Sequence, residues 1–158
     1  MITKLIMDVD GVLSTGHMVY GADGKMFKLF GPHDKDGLKI VKQYLSDITF
    51  ITADITGWDI TYRRIVTDWG YDHNQLVLVS EEDRMSYFEN NCDFDTTAFI
   101  ADGYHDAPIL KRVKLGIAPA SARIEAKDAA DYVTPSDAGS GAVLDACLYI
   151  EQVINGLS

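Results

Sequence analysis

Five short apolar runs, spaced along the chain with helical patterns between them, constrain the fold more than any other feature of the sequence. They cover residues 5–9, 48–52, 76–79, 98–101 and 115–118. Each is continuously apolar, as expected of a strand covered on both faces. Amphipathic helices are predicted in the segments DGLKIVKQYL, GWDITYRRIVTDWG and GAVLDACLYIEQVI. Strands that alternate with helices predict an α/β fold, a doubly wound parallel sheet with helices on both faces.

One segment between the first predicted strand and the first predicted helix breaks this alternation. MVYGADGKMFKLF has two apolar arms around Gly21 to Lys25, which predicts an inserted β-hairpin at about residues 17–30. At 158 residues, the chain is long enough for one domain with a hydrophobic core and too short for two. We therefore expect a single domain over residues 1–158.

Acidic side chains follow the predicted strands at the points where these end. Asp8 and Asp10 end the first strand, Thr52 ends the second, and Asp102 ends the fourth, with Asp106 four residues later. The carboxyl ends of parallel strands meet at one edge of a sheet, where such folds bind ligands. Carboxylates this close repel one another unless a cation neutralises them. Oxygen ligands favour a hard ion, so the sequence predicts a Mg²⁺ site.

The acids at the strand ends allow several other interpretations. Isolated strand-end aspartates commonly cap helices or form turns. An EF-hand is excluded, because Val12 and Val19 occupy positions where its calcium loop needs oxygen ligands. A nucleotide-sugar transferase also uses an Asp-x-Asp pair, but in much larger domains. A receiver domain that accepts a phosphoryl group on Asp54, after a middle strand, stays open.

The charge balance limits the partners. A formal net charge of −10 repels nucleic acid and anionic membranes, so we expect neither as a partner. No apolar run approaches the roughly 20 residues of a membrane helix. Cys92 and Cys147 stand far apart and form no metal-binding spacing, which favours a reducing, cytoplasmic location.

Three motifs resemble those of the haloacid dehalogenase (HAD) superfamily of phosphatases. DVDGVLSTG is similar to its first motif, FITAD resembles the second, and FIADGYHDA resembles the fourth. The segments KRVKLGIAPASA, AADYVT and GSGAVLDAC then follow, in order, a pattern similar to that of its capless sugar-acid phosphatases. The likeness covers almost the whole chain. It implies a Rossmann-like HAD-type fold with the hairpin inserted and no cap domain.

The resemblance also implies an activity and roles for residues. The enzyme would be a Mg²⁺-dependent phosphatase for a sugar acid, of the octulosonate 8-phosphate or nonulosonate 9-phosphate type, in lipopolysaccharide or other surface-polysaccharide synthesis. Asp8 would be the nucleophile that forms an aspartyl-phosphate, and Asp10 the general acid and base. The phosphoryl group would be bound by Thr52, the backbone at Ala53, and Arg84. Arg84 would also be the catalytic cation.

Metal binding and assembly follow from the same resemblance. The Asp8 carboxylate, the Asp10 backbone carbonyl and Asp102 would hold Mg²⁺, and Asp106 would orient the ion or its waters. The apolar hairpin would join four subunits into a homotetramer, in which a neighbour covers each capless site.

The chain departs from the family pattern at several positions. Its second motif ends in Thr52-Ala53-Asp54 where Thr-Gly-Arg is usual, and its tail has Gly139-Ser140-Gly141 where Gly-Gly-Arg-Gly is usual. Arg84 stands in for a lysine, and Gly103 for an aspartate. Two changes remove an arginine that could meet a substrate carboxylate; Lys25, His33 and Lys35 are candidate replacements. A catalytically weak HAD-like scaffold and a phospho-accepting regulatory domain stay open as alternatives.

Overall fold

The computed structural model describes all 158 residues and contains a six-stranded parallel sheet. In chain order the strands are β1 (Lys4–Asp8), β2 (Ser14–Gly21), β3 (Gly24–Phe30), β4 (Asp47–Thr52), β5 (Leu76–Leu78), β6 (Thr97–Ile100), β7 (Leu115–Ala118) and β8 (Tyr132–Val133). The main sheet has the order β5-β4-β1-β6-β7-β8. From β1 the chain adds β4 and β5 on one side of the sheet and then β6, β7 and β8 on the other. The predicted doubly wound α/β fold is therefore confirmed. Its switch point lies at the carboxyl end of β1.

Six helices cover the two faces of this sheet. They are α1 (Asp34–Lys42), α2 (Trp58–Tyr62), α3 (Arg84–Asn91), α4 (Ala107–Leu110), α5 (Ile124–Ala129) and α6 (Ala142–Ile154). One buried cluster lies under α1, α2 and α6, and a second under α3, α4 and α5. Along β1, Leu5 and Met7 enter the first cluster and Ile6 the second. This two-sided burial explains why the strands are continuously apolar.

Some element boundaries differ from the sequence prediction. The hairpin begins at Ser14, earlier than the predicted residue 17, because β2 continues directly from the turn after β1. The sixth strand of the main sheet, β8, was not predicted. It has two residues, a half-buried Tyr132 and an exposed Val133, and therefore gives no apolar run. None of the helices is both long and apolar enough to span a membrane.

The hairpin β2–β3 forms a separate antiparallel sheet, and no cap domain accompanies it. Most of its apolar side chains are exposed: Met18, Val19, Tyr20, Met26, Phe27 and Leu29. Lys28, in contrast, is buried within the same apolar arm. The hairpin thus reverses the usual pattern, with apolar groups outside and a cation inside.

An uncompensated acid lies where the hairpin leads into α1. Asp34 is 1% exposed, and neither of its carboxylate oxygens has a hydrogen-bond partner. Burial raises the pKa of Asp34 to about 7, against the opposing charge of Arg64. The folded protein therefore favours the protonated acid, and the ionised form of Asp34 lowers stability.

Candidate active site

A sharp turn after β1 presents two carboxylates to one cleft. Asp8 is the last residue of β1, and its Oδ1 accepts a hydrogen bond from the backbone N–H of Val9 at 2.9 Å. A tight, non-helical turn over Val9–Leu13 follows, in which Gly11 has φ = 82°. A Cβ at Gly11 would also collide with the Asp102 carboxylate, so the turn requires glycine. The Asp-x-Asp-Gly sequence thus gives the geometry that brings Asp8 and Asp10 to the same edge.

Asp10 is held by two neighbours. Its Oδ2 accepts a hydrogen bond from the Thr52 hydroxyl at 2.9 Å, and its Oδ1 lies 2.8 Å from the Lys28 ammonium. Thr52 is fully buried at the end of β4. The Asp10 side chain is still 31% exposed. It is therefore a fixed carboxylate with access to the cleft, as a general acid or base requires.

Two further carboxylates converge on Asp8. Ligand oxygens of Asp8, Asp102 and Asp106 all lie within 4.8 Å of one another. Asp106 Oδ2 accepts a hydrogen bond from the Gly103 backbone N–H at 3.1 Å, which fixes the loop after β6. The structure thus brings together Asp8, Asp102 and Asp106, which the sequence placed at the ends of separate strands and loops.

Arg84, the first residue of α3, contacts this cluster of carboxylates. Its guanidinium donates to Asp8 Oδ1 at 3.1 Å and Oδ2 at 3.3 Å, and to Asp106 Oδ1 at 2.7 Å. Arg84 is 4% exposed, and its Nε has no partner. Burial acts to lower the pKa of Arg84, but the Asp8 and Asp106 carboxylates outweigh it and raise the pKa. Arg84 is therefore a permanent, fixed cation against the Asp8 carboxylate.

The charges at this cluster are unbalanced. Burial raises the pKa of Asp8 well above its ordinary value, with Arg84 opposing and Asp106 and Asp102 adding to the shift. Burial and the Asp106 charge raise the pKa of Asp102 to about 6. Three carboxylates against one guanidinium leave negative charge that a cation would offset. Their oxygen-only donor set fits a hard divalent ion.

A second charged network joins the hairpin to the loop after β4. Asp54 Oδ2 pairs with the Lys25 ammonium and lies 3.0 Å from that of Lys28. Lys28 also donates to the Thr61 hydroxyl at 2.9 Å. Partial burial would raise the pKa of Asp54, but hydrogen bonds from Lys25, Lys28 and Thr56 hold it well below its usual range. Asp54 lies outside the Asp8–Asp102–Asp106 cluster, which disfavours its role as a receiver-domain acceptor.

The Asp8–Asp102–Asp106 cluster and the Asp54–lysine network line one cleft of about 350 Å³. Its walls are formed by Asp8, Asp10, Gly16, Met18, Lys25, Ala53, Asp54, Glu81, Arg84, Asp102, Gly103 and Asp106. Every site residue expected from the sequence lines this cleft except Thr52, which lies behind Asp10. Of the candidate cations for a substrate carboxylate, Lys25 lines the cleft, whereas His33 and Lys35 do not.

Sequence reasoning missed Lys28, which links Asp10, Asp54 and Thr61. One signal pointed to it: Lys28 is the single charged residue in the apolar stretch MFKLF. A buried lysine in such a strand needs partners. The partners themselves lie up to 33 residues away in the chain, so only the fold identifies them.

Comparison with known proteins decides the family. Residues 86–146 match the haloacid dehalogenase-like hydrolases. Over 159 aligned residues the chain is 31% identical to the 3-deoxy-D-manno-octulosonate 8-phosphate phosphatase of Escherichia coli, covering 92% of this chain and 77% of that protein. The chain belongs to the haloacid dehalogenase-like hydrolases. This hydrolase is a phosphatase, as its motifs predicted, with the resemblance to the capless sugar-acid group confirmed.

Solved structures of related phosphatases share the fold of this hydrolase. The 3-deoxy-D-manno-octulosonate 8-phosphate phosphatase of Moraxella catarrhalis, in complex with magnesium, phosphate and a KDO molecule, has a TM-score of 0.80 at 25% identity, covering 99% of this chain and 89% of that one. The cobalt-bound octulosonate 8-phosphate phosphatase of Haemophilus influenzae has a TM-score of 0.80 at 26% identity, covering 99% and 91%. Metal ions are thus bound by relatives with this fold.

Proposed function

We propose that this hydrolase is a Mg²⁺-dependent phosphatase that cleaves the phosphate monoester of a sugar acid, of the octulosonate 8-phosphate or nonulosonate 9-phosphate type. The observation that carries the proposal is the contact of Arg84 with both oxygens of Asp8, inside the cluster of Asp8, Asp102 and Asp106. The substrate class is supported by the named activities of its relatives. We place the enzyme in lipopolysaccharide synthesis in the cytoplasm, which fits its free Cys92 and Cys147 thiols.

The proposed reaction has two half-steps at the cleft. An Asp8 carboxylate oxygen attacks phosphorus, and the leaving sugar oxygen takes a proton from protonated Asp10. Asp10 then takes a proton from water, the water oxygen attacks the aspartyl-phosphate, and phosphate and the Asp8 carboxylate are released. Thr52 and Lys28 keep Asp10 in place for both transfers. Arg84 stabilises the negative charge on the transferring group.

The donor set defines how a metal would be held. The Asp8 and Asp102 carboxylates and the Asp10 backbone carbonyl would bind Mg²⁺. When bound, the ion supplies positive charge that offsets the oxygens of the transferring phosphoryl group. Asp106 serves mainly to position Arg84 and the Gly103 loop, because its two oxygens accept from these groups.

Removal of divalent ions should abolish turnover. We expect excess EDTA to reduce phosphate release to background and Mg²⁺ to restore it, with Mn²⁺ or Co²⁺ as partial substitutes. Asp102→Asn should weaken Mg²⁺ binding measured by calorimetry, whereas Asp128→Asn, an exposed acid on α5, should not. Full activity in excess chelator would rule out the proposed metal site.

Lys25 is the proposed contact for the substrate carboxylate. It is the one lysine that lines the cleft, and its side chain is 4% exposed beside Asp54. Because Asp54 already neutralises it in part, a substrate anion would share the ammonium with Asp54 rather than meet a free cation. We therefore expect its contribution to appear in substrate affinity, not in the chemical step.

A comparison of two substrates tests Lys25. Lys25→Gln should raise KM for a phosphorylated sugar acid by roughly tenfold, the effect of losing one charged hydrogen bond. KM for an aryl phosphate, which has no carboxylate, should change little. Lys114→Gln, which removes an exposed lysine before β7, is the control. An equal rise in KM for both substrates would show that Lys25 binds no carboxylate.

We also propose that the hairpin assembles the enzyme into a homotetramer. Val19 pairs with Phe27 across the hairpin, and Leu29 shares their face by strand alternation. An isolated two-stranded hairpin with an exposed apolar face is marginal in water. Pairing of hairpins between subunits would bury that face and shield the capless cleft.

Substitution on that face should separate the subunits. Phe27→Asp places a charge at a residue that is 57% exposed in the single chain, so folding should survive while association fails. Light scattering should report a mass near one 17.5 kDa chain for the variant and about four times that for the wild type. Leu157→Asp, at another exposed apolar residue, is the control. A wild type that is monomeric at full activity would overturn the assembly.

A further inference from the structure

Three lysines on one face of α1 line a groove separate from the catalytic cleft. Lys35, Lys39 and Lys42 share it with Trp69, Gly70, Tyr71 and Gln75, and its volume is about 210 Å³. It shares no residue with the cleft that contains Asp8. Gln75 donates from its side chain to the carbonyl of Ile48, near the start of β4, so the groove lies toward the opposite edge of the sheet.

The charge of this groove is unusual for the protein. The chain has a net charge of −10, yet no acidic residue lines the groove. Lys35, Lys39 and Lys42 form no ion pair, whereas seven of the other basic residues pair with acids: Lys4, Lys25, Lys28, Arg63, Arg84, Arg112 and Arg123. Asp47 lines a smaller adjoining pocket together with Lys42, Tyr71 and Gln75, but it is paired with Lys4 at 3.2 Å. The three unpaired lysines therefore make the groove itself locally positive.

Helix stability does not explain the three lysines. Lys39 and Lys42 lie in the last turn of α1, where cations are favourable, but Lys35 lies in the first turn, where they are not. Positions 35, 39 and 42 are also neighbours on the helix surface at spacings of four and three. Like charges at such spacings destabilise a helix by a few tenths of a kcal/mol per pair. A bound anion would remove this repulsion.

The facing wall of the groove is rigid and able to donate. Tyr71 packs edge-on against the buried Phe50 at 4.9 Å, and the Lys42 ammonium lies 5.7 Å from the Tyr71 ring centroid. The Trp69 ring contacts the Arg64 guanidinium at 4.9 Å and packs against Phe50 at 6.5 Å between ring centroids. The Tyr71 hydroxyl is protonated at neutral pH, as any ordinary phenol is, and burial raises its pKa further, to about 12. A preformed wall of this kind lowers the cost of ordering a ligand.

From these observations we propose that the groove between α1 and residues 69–75 binds a small molecule with at least two anionic groups, such as a diphosphate or a bisphosphorylated metabolite. Lys42 lies seven positions after Lys35, about 10 Å along the helix axis, which suits a ligand with separated charges. A groove of about 210 Å³ favours a small ligand over an extended acidic peptide. The site is independent of the proposed phosphatase reaction.

Titration with inorganic pyrophosphate tests this site. The full chain carries two tryptophans, Trp58 and Trp69, whose indole N–H signals are resolved by NMR and assigned with Trp58→Phe. EDTA is present throughout, so that metal in the catalytic cleft does not contribute. We expect pyrophosphate to shift the Trp69 signal with saturation and to leave the Trp58 signal in place.

Two matched triple variants decide whether the groove is responsible. Replacement of Lys35, Lys39 and Lys42 by Gln should weaken pyrophosphate binding at least tenfold, whereas replacement of Lys111, Lys114 and Lys127 by Gln should not. Tyr71→Phe should weaken it less, and circular dichroism confirms that each variant folds. No saturable Trp69 shift in the wild type, or equal losses in both triple variants, would overturn the proposal. Saturation by an acidic peptide but not by pyrophosphate would also overturn it.

Discussion

Asp8→Asn should reduce phosphatase turnover by roughly three orders of magnitude or more, because it removes the nucleophile on which the other catalytic groups act. The amide is a poor nucleophile and cannot form the aspartyl-phosphate. The fold should persist, since the amide oxygen of the variant can still accept from the Val9 N–H, and Arg84 keeps its 2.7 Å contact with Asp106. Steady-state phosphate release with a generic aryl phosphate measures the loss.

Asp54→Asn is the matched control for this substitution. It replaces another carboxylate of the same cleft by the same amide. Asp54 contacts Lys25 and Lys28 rather than the Asp8 cluster, so we expect a modest effect on aryl-phosphate turnover. If Asp54→Asn alone abolished phosphoryl transfer while Asp8→Asn did not, the nucleophile would be misassigned.

Arg84→Ala should lower turnover by an estimated 10²- to 10³-fold, as expected when one preorganised electrostatic stabiliser is removed. Arg84 is the one cation in contact with Asp8, and it also holds Asp106. Without it, the dianionic substrate meets a cleft with six acids among its twelve lining residues, and the Asp8 and Asp106 carboxylates lose their shared partner. The loss should appear in kcat/KM for aryl and sugar phosphates alike, since both transfer the same group.

Two further variants separate charge from geometry at this position. Arg84→Lys keeps the charge and should recover much of the activity if a single ammonium can reach Asp8. Arg112→Ala removes an arginine that is paired with Glu89 at 2.8 Å and about half exposed, and it should leave turnover unchanged. An Arg84→Ala enzyme with wild-type kcat/KM would show that Arg84 does not stabilise the transferring group.

The sheet was predictable because its strands are buried on both faces. Strands such as β1 feed alternate side chains into two separate clusters, which leaves a continuous apolar signature in the sequence. The acids at strand ends were predictable for a related reason, since parallel strands bring their carboxyl ends to one edge. β8 left no such signature, because only one of its two residues is even partly buried.

The second network of the site could not be predicted in this way. Lys28 and its partners Asp10, Asp54 and Thr61 lie far apart in the sequence, and their contact depends on where the hairpin packs. The hydrophobic pattern of the sequence does not indicate where the hairpin packs on the rest of the domain. The departure from the family motif at Asp54 was visible, but its pairing with the hairpin lysines became evident only in the structure.

The central proposal is tested most directly by phosphate release from a panel of sugar-acid phosphates, including 3-deoxy-D-manno-octulosonate 8-phosphate and nonulosonate 9-phosphates, beside matching sugar phosphates that lack the carboxylate. We expect Mg²⁺-dependent turnover of at least one sugar-acid phosphate with kcat/KM well above that of its counterpart without the carboxylate, and none with Asp8→Asn. No Mg²⁺-dependent phosphate release above the Asp8→Asn background from any member of the panel would contradict the proposed function.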